Sequence, residues 1–483
     1  MIFLENHGLF VACEKADRAL ELTGRIFDAA ERAATEAAAG LPTFQPLDDE
    51  SQAALIAEVT AAMRRFYSRR FGRPALVTFS DDANVAGFLR MPDAAALAEV
   101  SPIVPDQVVY CRERPLWLSV PDQLGDVQAY VTTQLEGTDS WAETPLCVLV
   151  EGLGLFCAAP TARLLDAVST MMSAVLESLA VASHFGGPRG LEEDATAFLR
   201  DWEAERFRQQ LVAQDGQGHD LAGKVVVITG AGSGIGRGLS MFLARHGAHV
   251  MLADIDLEGA RETERRIREQ ESPGSARPIP VDVTDEQSVR DLLRQTVRVL
   301  GGIDVLINGA DLAPVYPLVD FPVAAWAKTL EVNLTGYFLM AREAARRMIC
   351  QGTGGAIINI SSKTGLHASK NHSAYNATKA GEINLARGWA LELAEHGIRV
   401  NAICPGNVFT ESKIWNEDYI KALGEKRGLA PDEVIPYYVN LTALKQEVTW
   451  DDIGEAVAFL AGEGAAKITG QTLVVDAGQV FVR

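Results

Sequence analysis

In the second half of the chain, short apolar runs alternate with longer stretches in which apolar residues return every three or four positions. The runs at 225–229, 249–253, 305–308, 356–360, 399–402 and 472–475 predict strands. The stretches between them predict helices, with one at 237–246 and a long one at 373–395. This alternation predicts an α/β unit in which a parallel sheet carries helices on both faces.

The first half contains an internal repeat. Ile2-Phe-Leu-Glu-Asn-His-Gly-Leu-Phe10 returns 146 residues later as Val148-Leu-Val-Glu-Gly-Leu-Gly-Leu-Phe156. Each copy predicts a hairpin-like strand with a Gly turn, followed by an Ala-rich helix beginning near Lys15 or Thr161. Two related half-units in one layered α/β domain account for the pattern. Between the halves, Gln214-Asp-Gly-Gln-Gly-His-Asp220 is polar and glycine-containing, as interdomain connections are. The expected organisation is therefore a domain at 1–213, a linker at 214–220 and a second domain at 221–483.

Composition narrows the function classes. A 48% hydrophobic and 22% charged chain has the balance of an ordinary globular protein. Its net charge of −20 repels phosphate backbones and anionic lipid, so neither nucleic acid nor a membrane is an expected partner. The six cysteines are scattered without a C-x-x-C pair, which fits free thiols in a reducing compartment and a cytoplasmic location. The opening Met-Ile-Phe-Leu-Glu-Asn-His lacks the basic start of a signal peptide, and no charge-free apolar stretch reaches spanning length.

The chemistry lies downstream. Strand 225–229 runs into Gly230-Ala-Gly-Ser-Gly234-Ile-Gly236 and then into a helix. Such a turn brings backbone N–H groups and a helix N-terminus close to a pyrophosphate without Cβ interference. Asp254 ends the next strand, where a carboxylate accepts the hydroxyls of a ribose and repels a 2′-phosphate, favouring NAD over NADP. No Arg or Lys stands between Gly230 and Gly236 to attract that phosphate. Tyr375 and Lys379 are four residues apart and share one face of the long helix. An ammonium there favours the phenolate and is expected to lower the tyrosine pKa toward the working range of a general acid/base. Ser362 follows the strand at 356–360 and supplies a hydroxyl beside Tyr375.

Together these elements resemble the short-chain dehydrogenase/reductase family over residues 221–483. The resemblance rests on Thr229-Gly-Ala-Gly-Ser-Gly-Ile-Gly236, Asp282-Val283, Asn333 in Glu-Val-Asn-Leu-Thr-Gly336, Ser362, Tyr375-x-x-x-Lys379, Arg399-Val-Asn-Ala-Ile-Cys-Pro-Gly406 and Val475-Asp-Ala-Gly478. It implies a Rossmann-type doubly wound parallel sheet and an NAD-dependent dehydrogenase in which Tyr375 transfers the proton. Lys379 would hold the nicotinamide ribose, Ser362 would orient the carbonyl and Asn333 would anchor a water of the proton relay. Cofactor contacts are implied for Gly230, Ser233, Gly234, Ile235, Gly236, Asp254, Asp282, Val283, Asn308, Gly309, Ala310, Tyr375, Lys379, Pro405, Gly406, Val408 and Thr410. No metal is implied, and a homo-oligomer, dimer or tetramer, is. One element departs: the usual Asn-Asn-Ala-Gly reads Asn308-Gly-Ala-Asp311. The adenine wall is therefore expected to be altered; Gly309 and Asp311 can both adopt left-handed backbone if the loop needs it, and the expectation is weakened or re-tuned cofactor binding rather than its loss.

A narrower resemblance, carried by Leu444-Lys-Gln-Glu-Val-Thr-Trp-Asp-Asp-Ile-Gly-Glu-Ala-Val-Ala-Phe-Leu460 and Val480-Phe-Val-Arg483, is to the dehydrogenase half of bifunctional rhamnulose-1-phosphate aldolase/lactaldehyde dehydrogenase proteins. Pro105-Asp-Gln-Val-Val109 and the stretch Trp202–Leu211 resemble the segment joining the halves of those proteins. Residues 1–34 resemble the end of a class II aldolase domain, whose His-Gly turn supplies one zinc ligand, here His7. The family's His-x-His pair has no counterpart, so the first half is expected to be a smaller α/β aldolase remnant with a structural or assembly role. The expected function is hydride transfer between NAD and a small hydroxy-aldehyde, polyol or sugar-derived alcohol or carbonyl. The alternative is a subunit of a split aldolase/dehydrogenase assembly, in which residues 1–213 dock a separate aldolase piece. Trp415, Tyr419, Tyr437 and Tyr438 are expected to cap the substrate or pack within a lid, and Lys363, His367, Asn371 and His372 either touch a polar or phosphorylated substrate or are surface loop residues.

Overall fold

The computed structural model describes residues 2–4, 8–13, 15–38, 49–121, 125–137, 144–202, 221–412, 415 and 417–481. The chain divides into two compact units, Met1–Asp215 and Gly216–Arg483. His7 and the expected linker at 214–220 lie outside the described residues.

The first unit opens with a two-stranded hairpin, β1 (Ile2–Leu4) and β2 (Gly8–Phe10), followed by the helix Ala16–Ala38. Its main sheet contains β3 (Leu76–Ser80), β4 (Leu116–Leu118), β5 (Cys147–Val150) and β6 (Gly154–Ala159) in the order β3-β6-β5-β4. Every residue of β5 and β6 is buried, so both faces of this hairpin are covered. The repeat seen in the sequence is a repeat of backbone register. Ile2 pairs with Phe10 as Val148 pairs with Phe156, and Leu4 with Gly8 as Val150 with Gly154. The following helices, Ala16–Ala38 and Ala162–Ser183, begin at equivalent positions.

The chain has no charge-free run of spanning length, yet Ala162–Ser183, although it carries Arg163, Asp166 and Glu177, is long and apolar enough, by length and composition, to cross a membrane, with a mean hydropathy of 1.5, so the expectation that no helix could span one is not met. In this structure it buries Leu165, Val168, Met172, Val175, Leu176 and Leu179 within the unit, as a core helix does. Its start is capped by Thr161, whose hydroxyl accepts from Leu164 N at 3.3 Å.

In the second unit, seven parallel strands form one sheet. They are β7 (Val225–Thr229), β8 (His249–Asp254), β9 (Ser275–Pro280), β10 (Val305–Asn308), β11 (Gly355–Ile360), β12 (Ile398–Pro405) and β13 (Thr472–Val475), in the order β13-β12-β11-β10-β7-β8-β9. Strand order reverses between β7 and β10, which opens a crevice at the carboxyl ends of these two strands. Val226, Ile228, Val250, Leu252, Val305, Ile307, Ile358 and Ile403 form the centre of its core with Leu239, Phe242 and Ile453 from flanking helices. The expected helix at 237–246 in fact begins inside the glycine turn, as Gly234–Arg245.

Strand β9 has no counterpart among the expected strands. Its sequence, Ser-Ala-Arg-Pro-Ile-Pro, lacks an apolar run and contains two prolines, which a central strand would reject. It lies at the sheet edge and pairs with β8 alone, where a missing N–H leaves no ladder bond unmade.

Candidate active site

The crevice floor is built by the glycine turn after β7. Gly230 takes φ +75°, which L side chains rarely adopt, and a Cβ on Gly236 would collide with the Gly230 carbonyl. A Cβ on Gly232 would stand 2.9 Å from Asp254 Oδ2. Ser233 caps the helix in extended conformation, and Gly234 and Ile235 form its first turn. The result is a bare backbone cradle at a helix N-terminus, and the residues present fit a dinucleotide pyrophosphate. Asp254, at the end of β8, accepts from Gly232 N at 2.7 Å and from Asp256 N at 2.8 Å, which fixes its carboxylate at the rim. Asp282 accepts from Thr284 N at 2.9 Å and Thr284 Oγ1 at 2.7 Å, and the hydroxyl bond, with the backbone bond, holds its carboxyl below the usual range. Val283 is buried and leaves Gly336 no room for a side chain, an added Cβ there lying 2.8 Å away.

The loop after β10 faces this cradle. Gly309 N and Ala310 N donate to Thr229 Oγ1 at 3.0 and 3.2 Å, tying the loop to the end of β7. Neither Gly309 nor Asp311 has positive φ, so the loop does not call on the left-handed backbone both could adopt. The need for glycine is spatial: a Cβ at 309 would lie 2.8 Å from the Thr229 carbonyl oxygen. Asn308 donates through Nδ2 to Asn359 Oδ1 at 3.0 Å, and its own Oδ1 is buried with no hydrogen-bond partner.

Helix Ser373–Leu393 presents Tyr375 and Lys379 on one side, with the Lys379 ammonium 5.3 Å from the Tyr375 ring centre. Ser362, just beyond β11, lies close enough to Tyr375 for its hydroxyl to favour the phenolate, while its Oγ accepts from Thr364 N at 3.2 Å. Lys379 is fully buried, and its Nζ donates to the Ile360 carbonyl at 2.9 Å and to Glu382 Oε2 at 3.2 Å, and lies 3.1 Å from Asp311 Oδ2. Tyr375 donates to the same Asp311 oxygen at 3.4 Å. Asn333 sits in a wide, π-type turn, Glu331–Gly336. Its side-chain amide accepts from Leu312 N at 2.9 Å and donates to Leu312 O at 3.0 Å and Thr378 Oγ1 at 3.1 Å. That amide therefore clamps the loop bearing Asp311, a task the expected role in a water relay did not include.

Electrostatically the site differs from a lone tyrosine–lysine pair. Burial pushes the Tyr375 hydroxyl above its ordinary value, Lys379 opposes this, and Asp311 and Glu382 add to the rise. The expected lowering is thus outweighed in the free protein. Burial alone would pull Lys379 down, but Glu382, Tyr337, Asp311 and Tyr375 together hold it above the usual lysine range. Glu382 is pushed up to about 8 by burial against the pull of Lys379. Glu382 and Asp311 were not among the expected site residues. The signal for Glu382 was present, because an acid three residues after a lysine shares its helix face.

Around this centre, Gly406 donates to the Val475 carbonyl at 2.9 Å, and a Cβ on it would lie 2.8 Å from Asp476 Cα, so the turn after Pro405 packs tightly on the end of β13. Val408 is buried in the core, and Thr410 lies in the exposed turn beyond it. Lys363 donates to Asn407 Oδ1 at 2.8 Å and to Gln479, and burial draws its pKa down to about 8. His367 donates its backbone N–H to the Lys363 carbonyl at 2.8 Å, His372 Nδ1 lies 2.8 Å from the Lys370 carbonyl, and Asn371 has φ +68°. Trp415 packs edge-on against Phe409, Tyr419 and Tyr438, and Arg427 lies over Tyr437 and Tyr438. The aromatic residues thus form a cluster of their own between the helices Glu417–Arg427 and Pro431–Asn440.

Comparison with known proteins agrees with this geometry. The short chain dehydrogenase family pattern matches residues 224–418, and that of the class II aldolase second domain matches residues 50–206. An uncharacterized oxidoreductase, YuxG, of Bacillus subtilis is 29% identical over 99% of this chain and 72% of its own length. Sorbitol-6-phosphate 2-dehydrogenase of Escherichia coli is 35% identical over 53% of this chain and 99% of its own. The crystal structure of sorbitol-6-phosphate 2-dehydrogenase SrlD from Erwinia amylovora superposes with a TM-score of 0.50 at 37% identity, covering 53% of this chain and 99% of that one. With the glycine cradle, the Ser362–Tyr375–Lys379 centre and these relatives in agreement, the chain belongs to the short-chain dehydrogenase family of oxidoreductases and carries an aldolase-like N-terminal region.

Proposed function

We propose that the second unit is an NAD-dependent dehydrogenase acting on a small polyol, hydroxy-aldehyde or sugar-derived alcohol or its carbonyl. The observation that carries this reading is the convergence of Ser362, Tyr375 and Lys379 beside the glycine cradle. Bound in that cradle, NAD would supply the hydride acceptor. Gly230 to Gly236 would hold the pyrophosphate, Asp254 the adenosine ribose, Asp282 and Val283 the adenine, and Lys379 the nicotinamide ribose. Asn308, Gly309, Ala310, Pro405, Gly406, Val408 and Thr410 would complete the cradle.

The protein's own groups then do the proton work. Ser362 donates a hydrogen bond to the substrate oxygen and holds it next to Tyr375. In oxidation the Tyr375 phenolate takes the hydroxyl proton as hydride leaves the same carbon, and in reduction the phenol returns it to the carbonyl oxygen. Lys379 supplies the positive charge that makes the phenolate accessible. The sorbitol-6-phosphate relatives support a polyol-like substrate. NADH formation measured with a panel of small polyols and sugar alcohols at alkaline pH tests the proposal. Tyr375→Phe is expected to lower turnover by about 10²- to 10⁴-fold while leaving NADH binding intact. Retention of more than about a tenth of the activity would remove Tyr375 from the role.

A further inference from the structure

Lys379 has three ammonium protons, and the fold supplies three acceptors. Two are buried parts of the frame, the Ile360 carbonyl at 2.9 Å and Glu382 Oε2 at 3.2 Å. The third is Asp311 Oδ2 at 3.1 Å, delivered by the loop after β10 at the position where the resembled family carries glycine. That same oxygen accepts from the Tyr375 hydroxyl at 3.4 Å. An aspartate paired with a lysine at a surface is ordinarily worth little. Here the lysine side chain is 1% exposed and the carboxylate 32%, so only one partner is solvent-screened. The loop is also anchored on both sides of Asp311, by Thr229 through Gly309 and Ala310 and by Asn333 through both backbone groups of Leu312.

We propose that Asp311 is a positioning residue of the Tyr375–Lys379 pair: its carboxylate holds the Lys379 ammonium and sets the pH at which Tyr375 gives up its proton. The proposal rests on the dehydrogenase reading above. Lys379 and Glu382 face Tyr375 from its own helix, Asp311 from the loop after β10, Tyr337 from the helix Tyr337–Gln351 and Ser362 from the end of β11. His372 stands with its ring 6.4 Å from that of Tyr375, and Cys404 lies beside Lys379 and Glu382 from β12. Among these groups Lys379 is the cation that favours phenolate, while Asp311 and Glu382 oppose it. The carboxylate therefore keeps Tyr375 protonated to higher pH. It favours the form that donates a proton to a carbonyl near neutrality and moves alcohol oxidation to alkaline pH.

The sign is testable with three variants. Asp311→Asn keeps shape and removes charge, Asp311→Gly restores the residue of the resembled family, and Asp311→Glu keeps the charge. Two readouts apply: the pH profile of kcat for alcohol oxidation, and the tyrosinate absorbance of the cofactor-free protein, taken as the difference from Tyr375→Phe. For Asp311→Asn and Asp311→Gly, the acidic limb of the oxidation profile is expected to move to lower pH by about one unit or more, with about tenfold more Tyr375 ionised at a given alkaline pH. Asp311→Glu is expected to stay near the parent. Unmoved profiles and unchanged ionisation in both Asp311→Asn and Asp311→Gly, with thermal midpoints showing an intact fold, would overturn the proposal. Full alcohol oxidation by Tyr375→Phe would instead overturn the dehydrogenase roles, and the absorbance titration would still decide whether Asp311 controls Tyr375.

Discussion

Asp254 shows how one side chain acquires a function from its neighbours. Its two oxygens are oriented by Gly232 N and Asp256 N, yet each carboxylate oxygen keeps a lone pair for a ribose hydroxyl. The nearest cation on the glycine helix, Arg237, shares Glu411 with Arg266 and also donates to Thr263 at 3.1 Å and to the Gly232 carbonyl, so each of its nitrogens already has a partner. A 2′-phosphate would meet a fixed negative charge with no free partner supplied by Arg237, and NAD is expected to exceed NADP in kcat/KM. Asp254→Ala should erode the ratio by at least about tenfold, since juxtaposed like charges cost several kcal/mol. Equal kcat/KM for the two cofactors in the parent protein would contradict the assignment. Tyr375 and Lys379 were legible in the sequence because helical periodicity alone places i and i+4 on one side. Asp311 was legible only as a departure from a pattern, since its meeting with Tyr375 joins a loop and a helix 64 residues apart. Asn333 was legible as a site residue, but its hold on Leu312 depends on a turn of unusual width that no local pattern announces.

At the scale of elements, legibility follows the apolar run. Five of the six strands that read as such runs lie inside the sheet and are largely buried, and the sixth, β13, reads the same way although it is an edge strand with no buried residue, whereas β9, with Pro278 and Pro280, is defined by its pairing with β8 rather than by its own composition. The hairpin repeat was legible because strand register and the spacing to the next helix are both preserved at the same interval. The loop after β10 shows the opposite case, where the reason for a residue is the distance to another strand. Gly309→Asn, which restores the second asparagine of the resembled pattern, would place a Cβ 2.8 Å from the Thr229 carbonyl and strain the two bonds to Thr229 Oγ1. The expected cost is about 1 to 3 kcal/mol of stability, read by denaturant unfolding, together with weaker NADH binding. If the variant matched the parent in both, close approach would not be the reason for glycine here.

For the molecule as a whole, we expect self-association: Phe338 and Ile349 on the helix Tyr337–Gln351 and Leu391 on the helix Ser373–Leu393 are large apolar side chains left exposed, Leu391 at 84%. A purely monomeric sedimentation profile would remove that expectation. The aldolase-like unit poses the sharper question. In the resembled class II aldolases a divalent metal polarises the substrate carbonyl, and that requires three or more protein ligands around an open position. The chain has eight histidines and no His-x-His pair. Among the described residues no group of three His, Cys, Asp or Glu is arranged to hold a metal. Of the two copies of the repeat, the first carries His7 at the turn and the second carries Leu153, which is buried at 3% and offers no ligand atom. A single imidazole in water does not retain zinc at ordinary free concentrations. The chain is therefore expected to show no metal-dependent cleavage of a sugar phosphate, with Met1–Asp215 serving as a packing and assembly unit. Elemental analysis is expected to find zinc well below one equivalent, with dehydrogenase activity unaffected by chelators. Stoichiometric zinc that disappears in His7→Ala together with retro-aldol activity would show instead that this unit retains a catalytic metal centre.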